Sequence, residues 1–172
     1  MLRRYAIATA IMLGLTTPAL APAVAEDDAL VTFQVLSPRL AVELAEATMK
    51  DCNEKGFQVA VAVVDRFGVP QALVRDRFAG PHTPETAIRK AWTAVSFRTD
   101  TSQLVPATES GSPQSGARDI TNALMLGGGV LVSVGGAMTG AVGVSGAPSG
   151  EEDDACAKAG IEAIQEIGRA HV

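Results

Sequence analysis

The chain has 172 residues, 47% of them hydrophobic and only 4% aromatic, with a formal net charge of −5. That length suits a single domain. An acidic chain with one Trp and no basic cluster makes a poor partner for nucleic acid or for an anionic membrane surface.

Residues 1–25 read as a secretory leader. Arg3 and Arg4 form the basic end, Ala6–Leu15 the apolar core, and Ala19-Leu20-Ala21 and Ala23-Val24-Ala25 two small-x-small cleavage patterns. Pro18 and Pro22 interrupt the run, whose unbroken core is well short of the ~20 residues a membrane span needs. The most apolar later stretch, Ala123–Val144, is punctuated by glycines and does not read as a span. Removing two arginines with the leader takes the charge from −5 to −7. The expected location is periplasmic or secreted.

Residues 26–36 form an acidic lead with a short apolar run, Leu30–Leu36, an edge strand or an oligomer contact. The main domain is expected over residues 37–172. Ser37-Pro38 supplies an N-cap and a first-turn proline for a helix ending at Lys55, with Gly56 as the stop. Leu40, Ala41, Leu44, Ala45, Thr48 and Cys52 share its apolar stripe. Val59–Val64 reads as a buried strand and Val69–Asp76 as its return, irregular or near an edge because of Pro70.

After the loop Arg77–His82, Thr83-Pro84-Glu85 opens a second helix to about Arg98. A helical turn is expected near Ser102–Val105 and a polar loop over Ala107–Gly116. Met125–Gly129 reads as a strand end with a Gly-Gly-Gly bulge. Val130–Val134 and Ala141–Ser145 then form a hairpin across residues 135–140. Ser149-Gly-Glu-Glu152 is a capping box for the last helix, whose buried face carries Cys156, Ala159, Gly160, Ala163, Ile164 and Ile167. Turns this short require antiparallel pairing. The fold class is therefore α+β, an antiparallel sheet flanked by helices, with the N- and C-terminal helices on one face.

Cys52 and Cys156 are the only cysteines. An exported chain sits where disulfides persist. Both lie on apolar stripes, one near the end of the first helix and one near the start of the last. Antiparallel helices would bring them level, so a disulfide is expected.

The glycine-rich segment 126–150 lies between strands and contains no lysine, so neither a dinucleotide fingerprint nor a P-loop is read there. No GxSxG elbow is present. His82 and His171 are the only histidines, and His171 is penultimate. Asp65 and Asp76 flank a hairpin, where aspartates are usually structural. The segment Arg75–Glu85 is the most chemically loaded: two arginines, a histidine, an aromatic and two acids in a loop that enters a helix.

Two blocks, AVAVVDRFGVPQALVRDRFAGPHTPETAIRKAWTAVSFRTDT and LGGGVLVSVGGAMTGAVGVSGAPSGEEDDACAKAG, resemble the paired signatures of the GlcG/HbpS haem-binding family, also the domain appended to some corrinoid adenosyltransferases. The resemblance spans about Leu36 to Ile167. It departs from the family at Val130-Leu131, where a proline often follows the glycines. It implies an antiparallel sheet flanked by helices, homo-oligomers, and binding of haem or a related tetrapyrrole. Haem degradation is also attributed to the family. The adenosyltransferase domain is absent, so that activity is not carried over.

A flat apolar ligand with two carboxylates needs an apolar wall, an axial donor and cations. His82 would be the metal ligand, with Met125 or Met138 as alternatives. Arg75, Arg77 and Arg89 would pair with propionates. Phe78, Val130 and Met138 would supply wall, and Thr83 and Glu85 complete the expected site. Two rival readings stand beside haem capture, storage or sensing. One is a small enzyme that degrades haem, or that acts on an organic acid with Asp65, His82 and Glu85. The other is an interaction module that regulates a membrane receptor.

Overall fold

The computed structural model describes residues 31–170, with side chains described to Gln165. Residues 1–25, expected to be a leader, residues 26–30 and His171 lie outside the described residues, and Ile167 outside the described side chains. The described residues from 33 onward belong to one compact unit. No helix among the described residues is long and apolar enough to cross a membrane.

Helix α1 spans Pro38–Glu54. Ser37 Oγ accepts from the Leu40 amide at 3.2 Å, and Gly56 takes a positive φ just past the end. Strands β1 (Ala60–Asp65) and β2 (Pro70–Arg75) follow. Asp65 Oδ1 accepts from the Phe67 and Val69 amides and so builds the turn between them. Helix α2 spans Thr83–Phe97 and the short α3 Thr101–Ala107. A 3-10 turn at Ser115–Asp119 leads to β3 (Gly129–Val134), β4 (Ala137–Ser145) and α4 (Gly150–Ala170).

The four strands are antiparallel in the order β2-β1-β4-β3. Strand β1 is central and β2 an edge, where Pro70 costs no interior hydrogen bond. At the other edge, Asp100 Oδ1 and Thr101 Oγ1 accept from the Leu131 and Gly129 amides, which blunts β3.

Alternation along β1 sets the layers. Val59, Val61 and Val63 pack with Leu44, Cys52, Cys156 and Ile164 of α1 and α4. Ala60 and Ala62 face Ala87 of α2 on the opposite side. The result is three layers, with α1 and α4 on one face of the sheet and α2 on the other. Cys52 and Cys156 are joined by a disulfide, their Cα atoms 5.4 Å apart.

Three local expectations need correction. The hairpin turns on Gly135-Gly136 alone, because both residues take positive φ and close a two-residue turn. The Gly-Gly-Gly segment is not a bulge but a close passage. A Cβ on Gly128 would lie 2.7 Å from the Asp153 Cβ and 2.8 Å from Lys90 Nζ, and one on Gly129 would lie 2.3 Å from the Lys90 carbonyl oxygen. The lead segment does not join the sheet either: residues 31–36 carry no regular secondary structure, and of these only Leu36 is buried.

Candidate functional site

An open cleft of ≈ 780 Å³ lies where the first turn of α2, the first turn of α4 and the end of β4 converge. Its walls include Phe78, His82, Thr83, Arg89, Leu124 and Leu126, and its floor Lys90, Ser145 and Asp153. The start of a helix presents unpaired amide N–H groups and the positive end of the dipole.

His82 occupies the N-cap of α2 but makes no capping bond with its side chain. The ring folds back over Gly80, where a Cβ would lie 2.7 Å from its Cε1. The ring is exposed and forms no hydrogen bond among the described residues, so both nitrogens are available. Thr83, read from sequence as the start of a capping pattern, instead donates from Oγ1 to the Gly80 carbonyl at 2.8 Å and fixes the loop before the helix.

Phe78 stands at the rim, 73% exposed, with the Arg77 guanidinium 4.9 Å from its ring centroid. Arg89 donates through Nη2 to the Ala123 carbonyl at 2.9 Å and through Nε to that of Asn122. Thr93 Oγ1 accepts from the Leu124 amide at 2.9 Å. These contacts hold the 122–126 wall against α2.

The structure therefore gathers His82, Thr83, Phe78 and Arg89 and leaves the other expected residues apart. Arg75 donates to the Ala79 carbonyl and braces the loop from below. Arg77 serves Phe78, and Glu85 is exposed on the first turn of α2. Neither lines the cleft. Met138 packs with Val64, Ala91, Ala94 and Val95 at the opposite end of β4. The seven steps from Met138 to Ser145 span roughly 23 Å of strand, so Met138 reaches neither His82 nor its cleft. Val130 faces α1 and α4, and Met125 is buried beside Leu104 and Ala123. Asp65 pairs with Gly140, also at the far end, and its carboxylate is held by the turn. The grouping of Asp65 with His82 and Glu85 for acid–base chemistry does not form.

Sequence reading missed the floor. Lys90 is 1% exposed and donates to the Val144 carbonyl at 2.9 Å and to Asp153 Oδ2 at 2.7 Å. Asp153 Oδ1 accepts from the Ala147 amide, and Asp154 Oδ1 from that of Gly128. Burial pushes the Asp153 carboxyl above its usual range, against the opposing pull of Lys90. One signal was legible: Lys90 lies on the same stripe as Ala87, Ala91 and Ala94, and a lysine there must find a buried acceptor. Which acid answers it was not legible.

A family model described as haem degrading protein HbpS-like matches residues 36–162. A crystal structure of a double mutant of HbpS from Streptomyces reticuli is 37% identical, covering 85% of this chain and 98% of that one, with a TM-score of 0.74. Protein ORFY of Klebsiella pneumoniae is 27% identical over 78% of this chain and 94% of that one, with a TM-score of 0.75. A PduOC:heme complex is 29% identical over 75% and 94%, with a TM-score of 0.70. Comparison with curated proteins gave no match.

Proposed function

This chain belongs to the HbpS-like haem-degrading protein family, and from that premise we propose that it is an exported haem-binding protein that captures, stores or senses haem in the periplasm or outside the cell. The observation that carries the reading is His82, an exposed imidazole with no hydrogen bond among the described residues, at the mouth of a ≈ 780 Å³ cleft. That volume lies in the range of about 300–1,000 Å³ that cofactor sites occupy. The residues present fit the group. His82 would ligate the iron, Phe78, Leu124 and Leu126 would hold the ring, and Arg89 would pair with a propionate. Haem, when bound, supplies the redox and ligand chemistry of its iron. The protein holds the plane, orients it and limits water.

Export is supported by the leader pattern of residues 1–25 and by the disulfide, which suits an oxidising compartment. Association between copies is supported by the exposed apolar residues Val35, Phe67, Val69 and Leu73. Light scattering at tens of micromolar is expected to give a mass above the monomer, and a monomer mass would remove the oligomer.

Titration of the mature protein with haemin, followed by absorbance, tests the main reading. Wild type is expected to develop a Soret band. His82→Ala is expected to shift it or to weaken affinity at least ~10-fold, about 1.4 kcal/mol. No spectral change with wild type overturns haem binding, and an unchanged variant removes His82 as ligand. Loss of the Soret band over time with a reductant and oxygen would extend the reading to haem degradation.

A further inference from the structure

The floor of the cleft holds donors that the reading above leaves unused. Lys90 Nζ gives two protons, to Val144 O and to Asp153 Oδ2, and an ammonium has three. Ser145 is 5% exposed and lines the same cleft, and its hydroxyl meets no partner among the described residues. It directly follows Val144, whose carbonyl accepts from Lys90, and Ser145 and Lys90 line the same cleft. A hydroxyl on a cleft wall that is not used by the protein itself can donate to or accept from a ligand. A spare ammonium proton and a hydroxyl on the same cleft suit an anionic acceptor with two oxygens, and a carboxylate is one.

We propose that Lys90 and Ser145 form a carboxylate-binding subsite at the floor of the cleft, and that Asp153 is the resident counter-ion whose charge an incoming carboxylate replaces. The inference rests on the haem reading for its ligand, a propionate-bearing tetrapyrrole. A free small carboxylate shares the chemistry. Two carboxylates against one buried ammonium repel each other, so one is driven to protonate. Asp153 is the one disposed to do so, because burial already favours its neutral form. The balance is one proton from solvent onto an Asp153 carboxyl oxygen per carboxylate bound, with no other bond made or broken. The charged groups facing Asp153 are Lys90 from α2 and Asp154 from its own helix. Asp154 lies 3.9 Å from Lys158. Strand β4, the glycine segment and the β4–α4 loop present main-chain groups, the Val144 carbonyl, Gly128 and the Ala147 amide.

The test compares haemin, haemin dimethyl ester and sodium propionate on the mature protein, by calorimetry in buffers of different ionisation enthalpy. Wild type is expected to bind haemin about 10-fold more tightly than the diester, with proton uptake that the diester does not show. Lys90→Met and Ser145→Ala should each bring haemin toward the diester, and Lys90→Arg should restore part of the difference. Asp153→Asn should abolish the proton uptake. If Lys90→Met does not fold, Ser145→Ala and Asp153→Asn carry the measurement. Equal binding of haemin and diester by wild type, or discrimination retained in Ser145→Ala, overturns the subsite. Propionate titrated into haem-free protein gives a separate readout, with shifts expected at the Gly128, Ser145 and Ala147 amides. Such shifts without haemin binding would sink the haem reading and keep the subsite. Haemin binding with no propionate shifts and no discrimination would do the reverse.

Discussion

On one face of the sheet, Val61, Val63, Val142 and Val144 meet Leu44, Cys52, Cys156 and Ile164 from two helices. On the other, Ala60, Ala62 and Ala141 meet Ala87, Ala91 and Ala94 of a single helix. Adjacent residues of the same strands supply both. Large branched side chains bury the most apolar area, at ~1.5–3 kcal/mol for each fully buried one, and a covalent bridge ties that layer. Small residues contribute less by area but allow approach. A Cβ on Gly143 would sit only 2.0 Å from the Ala87 carbonyl oxygen, so α2 lies almost on the strand backbone. That closeness lets Lys90, on α2, reach past the end of the sheet to Asp153 on α4. The face poorer in hydrophobic bulk is the one that carries the cleft.

Three perturbations would break or sharpen this contrast. The largest is expected on the bulky face. The disulfide joins residues separated by 104 positions, for which the chain-entropy model gives about 4.7 kcal/mol. Replacing Cys52 and Cys156 together by alanine is expected to cost ~2–4 kcal/mol in urea unfolding. Recovery of free thiols by non-reducing mass spectrometry of protein from an oxidising compartment would show that the bridge does not serve there. On the small-residue face, Gly143→Ala is expected to cost ~2 kcal/mol, because the clash is with backbone that cannot rotate away. A loss under ~1 kcal/mol would mean that α2 is free to lift, and the close-approach account would fall.

The smallest effect concerns pH. The Asp153 carboxyl is raised in the folded state from an ordinary value of 3.8. Its protonation therefore contributes stability that is full below 3.8 and is lost as pH rises through the folded value. Relative to Asp153→Asn, wild type should lose urea midpoint on going from acid toward neutrality. A difference that grows in the opposite direction would show that Lys90, not burial, dominates the carboxyl.

Much of the frame was legible because it rests on local signals. Ser37-Pro38 and Gly56 bound α1, Pro70 marks the edge strand, and the capping box at Ser149 opens α4, where the Glu152 amide donates to Ser149 Oγ. His82 stood out as the one histidine away from the terminus. Met138 and Val130 were misplaced because apolar residues look alike in a list, while strand alternation sends them to different faces or ends. Arg75 and Arg77 were placed with the ligand because charge in a loop does not say whether a guanidinium meets a carbonyl, a ring or solvent.

Capping chemistry, turn residues and hydrophobic period act over a few neighbouring positions, so the sequence by itself determined most of the elements, their antiparallel sense and the sharing of one face by the first and last helices. Only the tertiary structure decided that Lys90 answers to Asp153, that the Ser145 hydroxyl has no partner among the described residues, and that Gly128 and Gly129 pass close to that pair. Those pairings join residues up to 63 positions apart, and a desolvated charge is satisfied by whichever group the packed backbone brings within hydrogen-bond reach.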